Sequence, residues 1–529
     1  MFLGRSNYEQ DAYKIRPLVM ERGRLTRDAA ATDTTVYINS LPRGVGAYGG
    51  YVVIDPYTTE CEIRQITARA GKKLTMTALA YSHSRYDEVL FVDCPICNVK
   101  LFGAMGDDST NDYTSIARAL TQANSIGAGV VYIPDGTYQI GTGLVIGENV
   151  SLIGENVWSS ILKATAGITM ISISSGSATG YRNTRIENLR INGNGTASVG
   201  IAVGQAPLSS FRNLDIVSCT GGTLGYGVLQ DKSQNQMWDT VRVDGCNKNF
   251  YIANVSAGNT YINLHCTNGN TKNVVVTTDA TLAGYVVGQS TPAHLTFYGG
   301  NFEISDGTAS IPQLDVVNCS RSLWSGVEFS RPSNSTVPVI DIGAGGNYLT
   351  FQSCRVNGNS ATSVDMVHAD GYDISFDHCW FSDLSGTTVL VKTGTADAWV
   401  NYNSLVPTNG TFDMSGGGFV HRQQSSKWLQ LPYPVNETIA GGTITIEQSY
   451  IALIGEGGVA DTLTTINGGE TGDIVILRAS SGTVDITVAE GGNLNLDAAG
   501  SIVLDNTLKK IGVTKNPAGS WDELFRSDN

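Results

Sequence analysis

Eight short segments between Ile186 and Phe381 repeat one pattern at nearly constant spacing, and a fixed period in this range is the mark of a solenoid. In register they are Ile186-Glu-Asn-Leu-Arg190-Ile, Phe211-Arg-Asn-Leu-Asp215-Ile, Trp238-Asp-Thr-Val-Arg242-Val, Tyr261-Ile-Asn-Leu-His265-Cys, Phe297-Tyr-Gly-Gly-Asn301-Phe, Trp324-Ser-Gly-Val-Glu328-Phe, Phe351-Gln-Ser-Cys-Arg355-Val and Phe376-Asp-His-Cys-Trp380-Phe. Their fifth residues step by 25, 27, 23, 36, 27, 27 and 25 positions. The units are strands rather than helices, so the solenoid they predict is a parallel β-helix. Stacking such coils buries a continuous core and leaves a flat lateral face along which a polymer can lie.

Side chains alternate across a strand. The fourth and sixth positions of each repeat are apolar or small and are expected inside. The fifth then faces solvent: Arg190, Asp215, Arg242, His265, Asn301, Glu328, Arg355 and Trp380. The seventh shares that face: Asn192, Val217, Asp244, Thr267, Glu303, Ser330, Asn357 and Ser382. The first position breaks parity, which calls for a bend. Glu187, Asp239 and Asp377, at the second position, are expected inward or near that bend. Asp377 and His378 are adjacent on one strand, so they are expected on opposite faces and not as a dyad. The 36-residue step before Glu303 marks an inserted loop able to wall a groove.

Charged residues are 16% of the 529-residue chain, against roughly 25% in a typical soluble domain, and Gly is abundant at 61. That composition suits stacked strands with tight turns. A net charge of −14 argues against nucleic acid as a partner, since phosphate binding needs clustered Lys and Arg. No apolar run is long enough for a membrane helix and no signal-peptide core is present, so synthesis in a cytoplasm without membrane insertion is expected. The nine cysteines include one Cys94-Pro-Ile-Cys97 pair without a second pair, which does not make a zinc site. Cys354 and Cys379 fall on one inward column and read as reduced core thiols, with disulfides left open.

The pattern changes along the chain. Residues 1–22 read as an arm or attachment segment, and 23–98 as a small β domain of about five strands. A coil follows over 99–405, then a Pro- and Gly-containing linker over 406–435. Short alternating strands over 436–529, spaced roughly ten residues apart, argue for a β-sandwich. At the start of the coil stands Gly103-Ala-Met-Gly-Asp-Asp-Ser-Thr-Asn-Asp112, then an amphipathic helix expected from Tyr113 to Ser125. Gly129-Val-Val-Tyr-Ile-Pro-Asp-Gly-Thr-Tyr138 and Val150-Ser-Leu-Ile-Gly-Glu155 come next.

This opening resembles that of the pectate-lyase-like right-handed β-helix family common in phage tailspikes and capsule depolymerases. The family pattern is Ala-x-Gly-Asp-Gly-x-Thr-x-Asp, a capping helix, then Val-x-Pro-x-Gly-x-Tyr and a Leu-x-Gly-Glu strand. The chain departs from it at Asp108, where the family has Gly. The flanking modules resemble the N-terminal attachment modules and C-terminal β domains of phage tail proteins, the latter often trimerising or glycan-binding. The resemblance implies an all-β homotrimeric spike. Its N-terminal region would join other tail or baseplate proteins of a virion assembled in the host cytoplasm. Its face would bind and depolymerise a bacterial surface polysaccharide.

The candidate chemistry lies in the outward ladder. Glu303 and Glu328 sit on neighbouring coils, two residues apart along the strand, a diagonal of about 8 Å between backbones. Carboxylates roughly 6.5–9.5 Å apart suit inverting hydrolysis, with one as acid and the other activating water. Arg355 places a cation beside Glu328, which makes Glu328 the base and Glu303 the acid. Asp215 and Asp244 repeat the diagonal with Arg242 between them. His265, Arg355, Trp324 and Trp380 are the candidate substrate-binding residues; Trp238 and Tyr261 are further stacking candidates. The same residues read equally as cross-strand pairs on a solvated face and as core aromatics. A non-enzymatic receptor-binding or structural virion protein is the alternative. No cofactor motif and no metal-ligand spacing is present.

Overall fold

The third residue of every repeat has a positive φ. Asn188, Asn213, Thr240, Asn263, Gly299, Gly326, Ser353 and His378 all lie between 49° and 66°. One left-handed residue turns the strand and resets its alternation, which is the bend the parity break requires. The first, fourth and sixth positions therefore all point inward, and the second and fifth point out. Asn and Gly recur at the third position because they enter this region at the least cost.

The structure is a computed structural model that describes residues 19–40, 50–92, 96–126, 129–174, 183–222, 225–282, 291–304, 311–332, 335–358, 365–382, 389–393, 398–402, 411–413, 418–422, 434–446, 448–497 and 500–527. The chain divides into two compact units, Met1–Phe419 and Val420–Asn529. The first is dominated by a parallel β-solenoid of about twelve turns, so the chain is all-β with a single α-helix among the described residues. Successive coils hydrogen-bond in parallel; Arg185–Asn192 pairs with Ser210–Val217, that with Met237–Asp244, and that with Thr260–Thr267. The register runs on through Thr296–Glu303 despite the longer step between them.

The first-position aromatics fill the coil. Phe211 stacks on Trp238 at 3.8 Å, and Tyr261, Phe297, Trp324, Phe351 and Phe376 form a continuous stack with centroids 4.3–5.3 Å apart. Trp324, Trp238 and Tyr261 are 0% exposed. This corrects the expectation that they offer faces to a sugar ring: the left-handed residue two positions on sends them inside. Glu187, Asp239 and Asp377 stand beside that bend, one of the two places expected for them, and are half-buried and turned outward. A polar ladder also runs through the core. Asn249 donates to Asn273 Oδ1 (2.7 Å) and Asn273 to Gln313 Oε1 (2.9 Å), so amides stacked coil on coil satisfy one another. The eight described cysteines are buried free thiols, Cys354 and Cys379 among them; Cys94 lies outside the described residues.

The opening motif caps the coil. Asp112 accepts from the Met105 and Gly106 amides (2.6 and 3.0 Å), and Asp107 from those of Ser109 and Thr110. Gly106 has φ 61°, and a Cβ there would lie 2.8 Å from the Tyr138 ring. Asp108 has φ 58°, which explains why Gly suits this position, and its carboxylate pairs with Lys163 at 2.9 Å. The helix Tyr113–Ser125 buries Ile116, Ala119, Leu120 and Ala123 over the end of the coil. A six-stranded N-terminal sheet docks there: Arg118 donates to the Thr58 and Cys61 carbonyls, and the Tyr57 amide to Leu101.

In the second unit the ten-residue rhythm resolves into sheets of six, two and three strands around one core that includes Ile451, Leu477, Ile511 and Trp521. Its first rungs are parallel, with Thr443 opposite Thr465 and Asp461 opposite Ile486. Antiparallel strands Lys510–Lys515 and Trp521–Ser527 follow.

Candidate functional site

The outward ladder is in unbroken register. Arg190, Asp215, Arg242, His265, Asn301, Glu328, Arg355 and Trp380 are Cα partners in turn. The seventh-position column is equally continuous, so Glu303 stands opposite Ser330 while Glu328 stands opposite Asn301. Seven steps of ~4.8 Å make a face roughly 34 Å long.

Its two halves differ. In the first, Asp215 is 2% exposed and held between two guanidinium groups, Arg242 at 2.8 Å and Arg190 at 3.3 Å. The second Arg242 nitrogen reaches Asp244 at 2.7 Å, and Asp244 also accepts from Thr267 (2.7 Å) and Asn268 (2.9 Å). Arg190 lies over the exposed Trp158 ring, 5.8 Å from its centroid. Ion pairs within the protein engage both carboxylates, while Asp215 Oδ2 accepts no hydrogen bond. His265 is exposed in the next rung; burial of its inner edge, followed by the Arg242 charge, holds its imidazole below the usual value.

In the second half the acids are more open. Glu328 is 39% exposed, with Arg355 at 3.4 Å, and Glu303 accepts from Asn301 Nδ2 at 2.8 Å. Arg355 lies over Trp380, 4.8 Å from the centroid, and Trp380 is 43% exposed. The arrangement thus brings together two carboxylates, a guanidinium and an aromatic platform, and leaves Trp324 beneath them in the core. His378 Nδ1 lies 2.6 Å from Asp377 Oδ1. That overturns the expectation of opposite faces: alternation holds only in extended backbone, and His378 is the left-handed residue of its coil.

Sequence reading missed a second face. On the neighbouring sheet Asp315, Asp341 and His368 are successive partners. His368 sits between Asp341 (3.1 Å) and Asp370 (3.2 Å), and Lys272 pairs with Asp315. In the same column Tyr251 donates to Asp279 (2.8 Å), and from a column beside it on that sheet Lys248 lies over the Tyr226 and Tyr251 rings. Burial, then Asp279, pushes the Tyr251 phenol up. The described start of the long insertion, with Asp279 and Leu282, covers this sheet over Val199, Tyr226, Tyr251 and Val275. The missed signal was the register itself: aligning these strands needs the coil lengths between them, which the aromatic repeat does not carry.

Fold and ladder together define a pectate-lyase-like β-helix. A family model described as "Rhamnogalacturonase A/epimerase, pectate lyase-like" matches residues 96–379, and the chain belongs to that family. Alginate lyase 7 of Azotobacter vinelandii is 36% identical over 77 residues, 13% of this chain and 9% of that protein. Mannuronan C5-epimerase AlgE3 of the same organism is 35% identical over 79 residues, 14% of this chain and 4% of that protein. The chain therefore spans under a tenth of the length of these two relatives. Among solved structures, the A-module of the Azotobacter vinelandii mannuronan C-5 epimerase AlgE4 aligns at a TM-score of 0.48 and 14% identity, covering 62% of this chain and 100% of that one. The Dettilon tailspike protein aligns at 0.34 and 12%, covering 62% and 68%.

Proposed function

We propose that this protein is a homotrimeric phage tailspike that binds a bacterial surface polysaccharide along the lateral ladder and hydrolyses it at Glu303 and Glu328. The observation that carries this reading is the solvent-facing cluster of Glu303, Glu328, Arg355 and Trp380, two open carboxylates on adjacent coils beside an aromatic platform. Membership of the family supports a polysaccharide as substrate, as do relatives named alginate lyase and mannuronan epimerase. The phage setting rests on the resemblance of the opening motif and on the order of attachment module, coil and terminal β domain. In the proposed step Glu303 gives its proton to the leaving glycosidic oxygen as that C–O bond breaks. Glu328 takes a proton from the water whose oxygen bonds the anomeric carbon. Arg355 steadies the Glu328 carboxylate, and Trp380 stacks on a neighbouring ring.

A second reading places the chemistry on the other sheet, because His368 lies within hydrogen-bond distance of two carboxylates. The test is incubation with capsule or O-antigen, reading reducing ends and ultraviolet-absorbing unsaturated ends. Reducing ends without unsaturation fit hydrolysis; unsaturated ends select elimination. Glu303→Gln and Glu328→Gln should each lower the rate by about 10²–10⁴. Full activity in both, with loss in His368→Gln, moves the reaction to the second sheet. Binding without any product selects the receptor-binding alternative.

A further inference from the structure

We infer that the N-terminal sheet carries a divalent transition-metal site formed by Asp55, His83 and Asp87, which fastens the loop that grips the cap of the coil. His83 is 2% exposed, yet its Nδ1 has no hydrogen-bond partner. Its other nitrogen is fully committed. Nε2 lies 2.6 Å from Oε1 of Glu62, itself 1% exposed. Glu62 also accepts from the Ala80 and Tyr81 amides (2.9 and 3.3 Å) and pairs with Arg64. A carboxylate held by those donors only accepts, so Nε2 carries a proton, and in the neutral ring Nδ1 presents a lone pair.

That lone pair faces two more acceptors. Asp87 Oδ2 is 3.9 Å away, and one ligand atom each from Asp55, His83 and Asp87 lie within 4.8 Å of one another. Three such groups converging on one point, one of them a buried nitrogen, offer a ligand set for a cation. Bonds of roughly 2.0–2.2 Å in tetrahedral geometry set ligand atoms about 3.4 Å apart, so binding draws these groups inward by side-chain rotation. One imidazole with two carboxylates suits Zn²⁺ or a similar first-row ion better than Ca²⁺, which takes oxygen ligands. Glu62 behind His83 supplies the carboxylate–histidine–metal relay that fixes tautomer and ring orientation.

The position gives the site its role. Asp55 has φ 53° and opens the loop whose Tyr57, Thr58 and Cys61 backbone groups hold Leu101 and Arg118 at the cap of the coil. His83 and Asp87 lie on the segment leading into strand Glu88–Val92. An ion joining them ties the docking loop to the body of the sheet.

The test uses the full chain, stripped with chelator and titrated with Zn²⁺ alone, by calorimetry and by melting temperature. One Zn²⁺ per chain and a raised first transition are expected. Asp55→Asn and Asp87→Asn retain oxygens able to accept from Thr58 and from the Ser84 amide, and each should weaken binding at least about tenfold. Co²⁺ in place of Zn²⁺ should show ligand-field bands without a thiolate charge-transfer band. No saturable binding, equal binding in wild type and both Asn variants, or a thiolate band would each overturn the proposal. So would an Nδ1 of His83 that simply carries a proton at neutral pH in the presence of excess Zn²⁺, read by nitrogen NMR.

Discussion

Arg242 lies 2.8 Å from Asp215, a carboxylate only 2% exposed, and so neutralises a charge that the fold has taken out of water. Losing one partner of such a pair leaves the other uncompensated. Arg242→Ala removes one of two guanidinium groups from Asp215 and one from Asp244, and should cost about 2 kcal/mol. Urea unfolding with the wild-type slope and a lower midpoint is the expected result. An unchanged midpoint would make the pair surface decoration.

The left-handed third position gives a prediction of the opposite sign. Thr240, with φ 55°, is β-branched where three other repeats have Asn. Thr240→Asn should stabilise the coil by roughly 0.5–1 kcal/mol, and Asn213→Val should destabilise it by a similar amount. Calorimetric melting of both variants checks the pair. A lower melting temperature for Thr240→Asn contradicts the account of the bend.

Two tryptophans, one in the inward first-position column and one in the outward fifth, should separate stability from binding. Trp324→Ala empties a slot between Phe297 and Phe351 and should cost about 3–5 kcal/mol. Trp380→Ala should change stability by no more than about 0.5 kcal/mol. It should weaken glycan binding roughly three- to tenfold, the value of one ring contact. Unchanged binding by Trp380→Ala, measured on a host oligosaccharide, removes the platform from the site.

His265 predicts a pH effect. Its imidazole is held below the ordinary value by burial and then by Arg242, so the unfolded chain takes up that proton first. Stability contributed by the neutral ring is complete above about pH 6.5 and is lost as pH falls toward the folded value. His265→Gln should therefore lose less melting temperature between pH 7 and pH 5 than the wild type. Equal losses would mean that other groups govern the acid limb.

Much of this was legible in the chain. Period two within a strand and about 25 residues between strands specify which residues are partners, and the Asn301, Glu328, Arg355, Trp380 column could be written from them. The cap motif was readable because Asp107 and Asp112 in it bond backbone nearby. What failed was alternation at one residue: with a left-handed third position, Trp324 goes in and Asp377 meets His378.

The sequence by itself determined the coil, its polar ladder and the cap, since all three follow from local conformation repeated at a fixed interval. Only the tertiary structure decided how deeply each charged pair lies: Asp215 is closed in between Arg190 and Arg242, while Glu328 beside Arg355 stays in contact with solvent. It also assembled Asp341 with His368, and Glu62 with His83 and Asp87. Those groupings depend on loop lengths and on packing between segments far apart in the chain, and contact energies of that kind leave no periodic trace in the order of residues.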